Sequence, residues 1–170
     1  IKVANSLHDV FIRTKGQVFS QLWSTGNVSN ENICKIRFLT ANQDFKGSRN
    51  FQKFLDIFNT DNSIFDVRKI NEAPDDFVKS IKISNLSQND KRISYALKAA
   101  QFIMKNECKP IELAKKFNND ADLLRKALIN EQGMGYGNKK ADMFIRDMFV
   151  LKIWPDLINF DKIDVASDIN

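Results

Sequence analysis

Apolar side chains recur along most of this chain every three or four residues, the spacing that gathers them on one face of an α-helix. Val3, Leu7, Val10 and Phe11 begin the pattern, and Phe19, Leu22 and Trp23 resume it after Gly16. Ser24-Thr25-Gly26-Asn27 interrupts it, and Ser29 stands where it can cap a second helix carrying Ile33, Ile36 and Leu39. Ile36-Arg37-Phe38-Leu39-Thr40 also reads as a strand, because periodicity does not separate a short apolar run into one class or the other. Ser48 is predicted to cap a helix with Phe51, Phe54, Leu55 and Phe58 on one face. Residues 59–63 then read as a turn, and residues 64–70 are short and ambiguous.

Pro74 suits a first helical position, and Asp75 and Asp76 suit the positive end of the helix dipole. Phe77, Val78 and Ile81 form the inner face of that helix. Ser87 is predicted to open the next, with Asp90 at its third position and Ile93, Leu97, Ala100 and Met104 along its inner face. Pro110 starts another through Ile111, Ala114 and Phe117. Asn118 to Asp120 break and recap the chain, and the segment from Ala121 to Glu131 places Leu124, Ala127 and Leu128 together. After a glycine-rich stretch, Ala141, Phe144, Ile145, Met148 and Phe149 complete a helical stripe, which Pro155 ends after Trp154. The pattern predicts an all-α protein of eight or more helices, forming one region over 1–170 or two helical subdomains within it. Most of the fourteen phenylalanines fall on these stripes, where core packing accounts for them.

Composition narrows the chemistry. No apolar run approaches the ~20 residues of a membrane-spanning helix, so a membrane partner is not expected. Cys34 and Cys108 are far apart and not in metal-ligand spacing, which fits thiols in an intracellular, reducing compartment. His8 is the single histidine, which argues against a zinc enzyme and against Ser-His or Cys-His catalysis; a surface or helix role suits it better. The net charge of +5 is compatible with a polyanionic partner without requiring one.

The stretch from Gln132 to Asp142 holds three of the six glycines, at every second position, and a lysine pair follows them at the start of the next helix. Glycine permits backbone torsions and close approaches that other residues resist. A helix start, with its unpaired first amides and positive dipole end, already favours an anion. Gly135, Gly137, Asn138 and Lys140 are therefore candidate phosphate contacts. Taken alone, a glycine turn between two helices is as readily a packing corner.

The arrangement helix, Gly135-Tyr136-Gly137-Asn138-Lys139-Lys140-Ala141-Asp142, helix, spanning 121–152, resembles the helix-hairpin-helix of the DNA glycosylase superfamily that includes endonuclease III and the 8-oxoguanine glycosylases. Strand-cutting members of that family carry a Gly-hydrophobic-Gly-x-Lys-x-Ala hairpin. The segment from Ala141 to Asp147 is also similar to the recognition helix of the compact archaeal-type 8-oxoguanine glycosylases, with Phe144 and Arg146 in matching places. Gly133-Met134 stands where a proline commonly precedes the hairpin.

The resemblance implies that Gly135 and Gly137 bind phosphate and that Lys139 is the nucleophile, leaving Lys140 at most a phosphate contact. It also implies a catalytic aspartate in a hydrophobic-Asp-x-x-hydrophobic setting at a later helix start. Asp164, in Ile163-Asp164-Val165-Ala166, is the candidate for that role, twenty-five residues beyond Lys139. Asp161 and Asp168 are its rivals. As the family continues with further helices, the chain is expected to be a fragment of a longer protein or a short member.

The implied activity is excision of a damaged base, an oxidised purine such as 8-oxoguanine first and an oxidised pyrimidine second, from double-stranded DNA by a monomer. It needs no metal or organic cofactor. The target nucleotide is flipped out of the duplex, Asp164 shuttles protons, and Lys139 attacks C1′ to give a Schiff base that permits strand cleavage. A neutral amine at Lys139 would be favoured by burial and by the positive helix end. Phe144 and Trp154 are candidates for a base-stacking wall, with core packing the stronger expectation for Phe144. Two other readings stay open: a non-catalytic helix-hairpin-helix module within a larger assembly, and a helical protein-interaction domain whose glycine turn is a corner.

Overall fold

The computed structural model describes residues 28–43 and 48–163. The chain divides into two compact units, residues 1–33 and 34–170. In the first, the described residues are 28–33, which carry the start of α1 (Asn30–Ala41). Ser29 caps it as expected: its Oγ accepts the Asn32 amide at 3.3 Å and its carbonyl the Ile33 amide at 2.9 Å. The helices predicted between Val3 and Trp23, and His8 with them, lie outside the described residues.

Among the described residues the fold is all-α, with eight α-helices and no β-strand. The strand alternative for residues 36–40 gives way to the body of α1. Cys34, Ile36, Phe38 and Leu39 are all fully buried there. A helix enclosed on more than one side loses the one-sided stripe by which helices are recognised.

Helix α2 (Ser48–Thr60) starts on Ser48 itself, so that serine is its first residue rather than the cap before it. The ambiguous stretch that follows is two short helical pieces, each with its own aspartate cap. Asp61 accepts the Ser63 amide to begin a 3-10 turn (Asn62–Phe65), and Asp66 accepts the Arg68 and Lys69 amides to begin α3 (Val67–Glu72). Phe65, fully buried, fills the centre of an aromatic cluster, its ring 6.3 Å from Phe54, 5.8 Å from Phe58 and 6.1 Å from Phe77. Pro74 precedes α4 (Asp75–Ile83) by one residue, and its carbonyl accepts the Val78 amide at 2.9 Å. Asp75 and Asp76 occupy the first turn as predicted.

The long helix α5 (Asn89–Lys105) departs furthest from its predicted face. It starts after Gln88, which holds a left-handed conformation, and Ser87 instead uses its carbonyl to accept Arg92 Nε at 2.7 Å. The buried side is Arg92, Ala96, Ala99, Ala100 and Ile103, while Ile93, Leu97 and Met104 are half-buried. Small alanines allow α3 and α4 to approach this side closely. The Arg92 guanidinium joins it, donating to the Gln43 carbonyl at 2.8 Å and lying 5.6 Å from the Phe54 ring. A sequence pattern that sorts arginine as polar and alanine as neutral places the face one step away.

A 3-10 turn (Pro110–Glu112) leads into α6 (Leu113–Lys116). Asn118 and Asn119 then turn through positive φ, and Asp120 caps α7 (Ala121–Asn130), as predicted. Helix α8 (Asn138–Val150) packs on α7. It ends before Pro155 is reached, because Lys152 turns left-handed and the Ile153 and Lys152 amides bond back to the Met148 and Phe149 carbonyls at 2.9 and 3.0 Å. The chain then returns to the start of α7 through a parallel bridge between Asp120 and Ile158, and Asn159 Nδ2 donates to Asp120 at 2.7 Å. No helix among the described residues is long and apolar enough to cross a membrane.

Candidate functional site

The loop between α7 and α8 is held from beneath by buried side chains of its own. Met134 is fully buried and Tyr136 nearly so, while Gly133, Gly137, Asn138 and Lys139 are exposed. This alternation lets the loop bury every second residue and offer backbone on the other side. The Tyr136 hydroxyl donates to the Phe38 carbonyl at 2.7 Å, and Asn42 Nδ2 donates to the Met134 carbonyl at 2.9 Å. Both anchors come from the last turn of α1 and the residue that follows it, so the hairpin is shaped by a helix some ninety residues away in the chain.

Gly135 sits at φ +80°, a conformation that L-residues rarely adopt, and a Cβ there would overlap the Tyr95 ring of α5. The close approach for which this glycine is needed is therefore to a protein ring. Gly137 differs. Its backbone is extended, and no atom stands within 4 Å of the position a Cβ would take.

The two lysines part company in the structure. Lys140 Nζ donates to the Asn42 carbonyl at 2.8 Å and lies 6.0 Å from the centre of the Tyr95 ring, so it braces the hairpin against α1 and α5. Lys139 is exposed in the first turn of α8, which differs from the burial expected for it.

Phe144 and Trp154 belong to the core. Phe144 is fully buried, with ring centroids at 5.7 Å to Phe38, 6.0 Å to Tyr136 and 5.4 Å to Trp154. Trp154 Nε1 donates to the Ile111 carbonyl at 2.8 Å. Neither presents an open ring face as a stacking wall; they support the hairpin from below. Asp161 is exposed after the bridge to α7, and Asp164 and Asp168 lie outside the described residues.

Ion pairs fix the orientation of α8. Arg125 of α7 pairs with buried Asp142 through Nε at 2.5 Å and Nη2 at 3.4 Å. Arg37 of α1 pairs with buried Asp147 at 2.7 Å, and Arg146 reaches the other oxygen of the same carboxylate at 3.1 Å. Carboxylates this deep depend on their paired guanidinium groups, and losing one partner would leave a costly buried charge. Arg146, matched to the recognition helix in sequence, thus has an internal contact.

Burial pushes the Tyr136 phenol well above the usual tyrosine range. A folded-state pKa above the unfolded value means that this group's contribution is complete below about pH 10 and is lost as pH rises beyond it. Tyr136→Phe is expected to cost about 1 kcal/mol at neutral pH through the lost hydrogen bond. It should also flatten the alkaline limb of a stability profile measured by urea denaturation from neutral pH upwards.

Sequence reasoning missed Tyr95, Asn42, Arg37 and Arg125 as determinants of the site. Each acts across a long separation in the chain and carries no local signature. No protein-family model matches the chain, and no curated protein or solved structure is similar to it at a significant level.

Proposed function

We propose that the hairpin between α7 and α8 grips the phosphate backbone of double-stranded DNA, and that the protein is a base-excision glycosylase with lyase activity using Lys139 as its nucleophile. The observation that carries this reading is the open front of the hairpin. Gly137 has unobstructed space before it, and Asn138 and Lys139 follow, exposed, in the first turn of a thirteen-residue helix. First-turn amides lack intrahelical acceptors and face the positive dipole end, which suits a phosphate oxygen. A contact of this kind positions the duplex without reading its sequence.

In the proposed reaction the damaged nucleotide is flipped from the stack. The Lys139 amine bonds to C1′ as the N-glycosidic bond breaks and the base leaves with a proton. The C1′–O4′ bond then opens, with O4′ taking a proton, to give the Schiff base; loss of a C2′ proton and of the 3′ phosphate by β-elimination then cleaves the strand on the 3′ side. Asp164 is proposed to shuttle the protons and to offset positive charge developing on the sugar. Its place directly after Ile163 and before Val165-Ala166, downstream of Lys139, supports that role. Oxidised purine is the proposed lesion class.

The test is borohydride trapping on a duplex carrying an abasic site, together with cleavage of a panel of lesion-bearing duplexes. A covalent adduct and lesion-specific cleavage are expected from the wild type. Asp164→Asn is expected to bind abasic duplex as well as wild type while losing base excision; undiminished excision in that variant would refute its role. Salt-sensitive duplex binding with no adduct would leave a non-catalytic DNA-binding module in place of the enzyme.

A further inference from the structure

Helix α5 runs alongside the hairpin in the opposite direction, and its side chains meet the loop in register. Lys98 lies beside Gly133, its Cγ 3.6 Å from where a Cβ would stand. Tyr95 lies against Gly135, close enough to exclude any side chain there. One turn further on, Lys91 Nζ is 5.8 Å from the centre of the Tyr95 ring, and Lys140 Nζ of α8 is 6.0 Å from it. Lys91 and Lys98 are exposed, and Tyr95 is half-buried between them. Cationic side chains thus flank one aromatic ring, which they face favourably. Asp90 and Ser94 are the other exposed residues on this part of α5, and Lys105 further along is already matched by Glu131 at 3.1 Å.

We infer that Lys91 and Lys98 form a second phosphodiester-binding track, continuous with the hairpin, that carries the same DNA strand across α5. This rests on the proposed grip of the hairpin and extends it to a second element. The register supplies the reason. Lys98 stands beside Gly133, and Lys91 stands beside Tyr95, which itself lies against Gly135; two helical turns set the lysines roughly 10 Å apart, a span that suits alternate phosphates of one strand. Tyr95 makes the two elements one surface: its ring is locked against Gly135 and holds α5 at a fixed distance from the hairpin. The track contacts backbone only, so it contributes affinity without sequence preference.

The test is fluorescence anisotropy with a labelled duplex containing a tetrahydrofuran abasic analogue, titrated across a salt series. The proteins compared are wild type, Lys91→Gln/Lys98→Gln and Gly137→Val. The melting temperature of the double variant is measured beside wild type, so that a change in folding is read separately from a change in binding. Each lost phosphate contact reduces the log–log salt slope by about 0.9, so the affinity lost between about 50 and about 200 mM salt should be roughly tenfold smaller in the double variant. The weakening should be equal for duplexes of unrelated sequence. An unchanged slope in the double variant, with binding weakened by Gly137→Val, would overturn the track and leave the hairpin grip standing. Absence of duplex binding by wild type at the lowest salt would overturn both.

Discussion

Lys139→Gln is expected to abolish the borohydride adduct with abasic DNA while leaving the protein as stable as wild type. The side chain is exposed in the first turn of α8, and substitutions at exposed sites usually change stability by only about 0.5 kcal/mol. Loss of the amine removes the group proposed to form the covalent bond. Strand cleavage should therefore fall on the order of a hundredfold or more, the scale for removing a group that acts in the chemical step. The contrast with its neighbour makes the prediction sharp. Lys140 donates to the Asn42 carbonyl and braces the hairpin, so Lys140→Gln should lower stability by about 1–2 kcal/mol and still give an adduct. Two adjacent lysines would then fail in different assays. An adduct that survives in Lys139→Gln would remove that residue from the chemistry.

Gly135→Ala is expected to destabilise the protein by about 2–6 kcal/mol, measured by urea denaturation. Two costs add. A non-glycine residue at this positive φ carries about 1–3 kcal/mol of strain. The new methyl group overlaps the Tyr95 ring, and inserting atoms into a packed site costs about 1–3 kcal/mol more. Tyr95→Ala should relieve the second cost but not the first, so a double-mutant cycle between the two positions is expected to show coupling of about 1–3 kcal/mol. Gly137→Ser makes the opposite case. Its backbone is extended and its Cβ would meet nothing, and serine is a good residue at the position before a helix. That variant should keep full stability, and any loss of duplex binding in it reports on the open front of the hairpin alone. Equal destabilisation by both substitutions would mean that the two glycines are not divided in this way.

The separation of these glycines shows what a pattern of residue types conveys and what it leaves out. Gly-Tyr-Gly marks a tight turn before a helix because glycine relaxes the backbone wherever it stands. Which glycine is needed for shape, and which leaves space in front of the chain, depends on the neighbour that packs there. Tyr95 is forty residues away from Gly135, and nothing in its own surroundings announces that contact. The lysine pair divides for the same reason: Asn42 and Tyr95 draw Lys140 inward, and Lys139 remains at the surface.

Local chemistry by itself determined that the described chain is helical and where most helices begin. Capping by Ser29 and Asp120, the acidic first turn after Pro74, and the stripe from Ala141 to Met148 act within a few residues, where sequence spacing is spatial spacing. It also determined where the turn between α7 and α8 falls and that a helix follows it. Only the tertiary structure decided the buried face of α5, where alanines and an arginine displace the expected isoleucine and leucine. Phe144 took the core place expected for it, but only the tertiary structure placed Trp154 beside it in the core and tied α8 to α1 through Arg37 and Asp147. Those outcomes turn on which surfaces meet, and burial or ion pairing between distant segments leaves no period in the sequence to read.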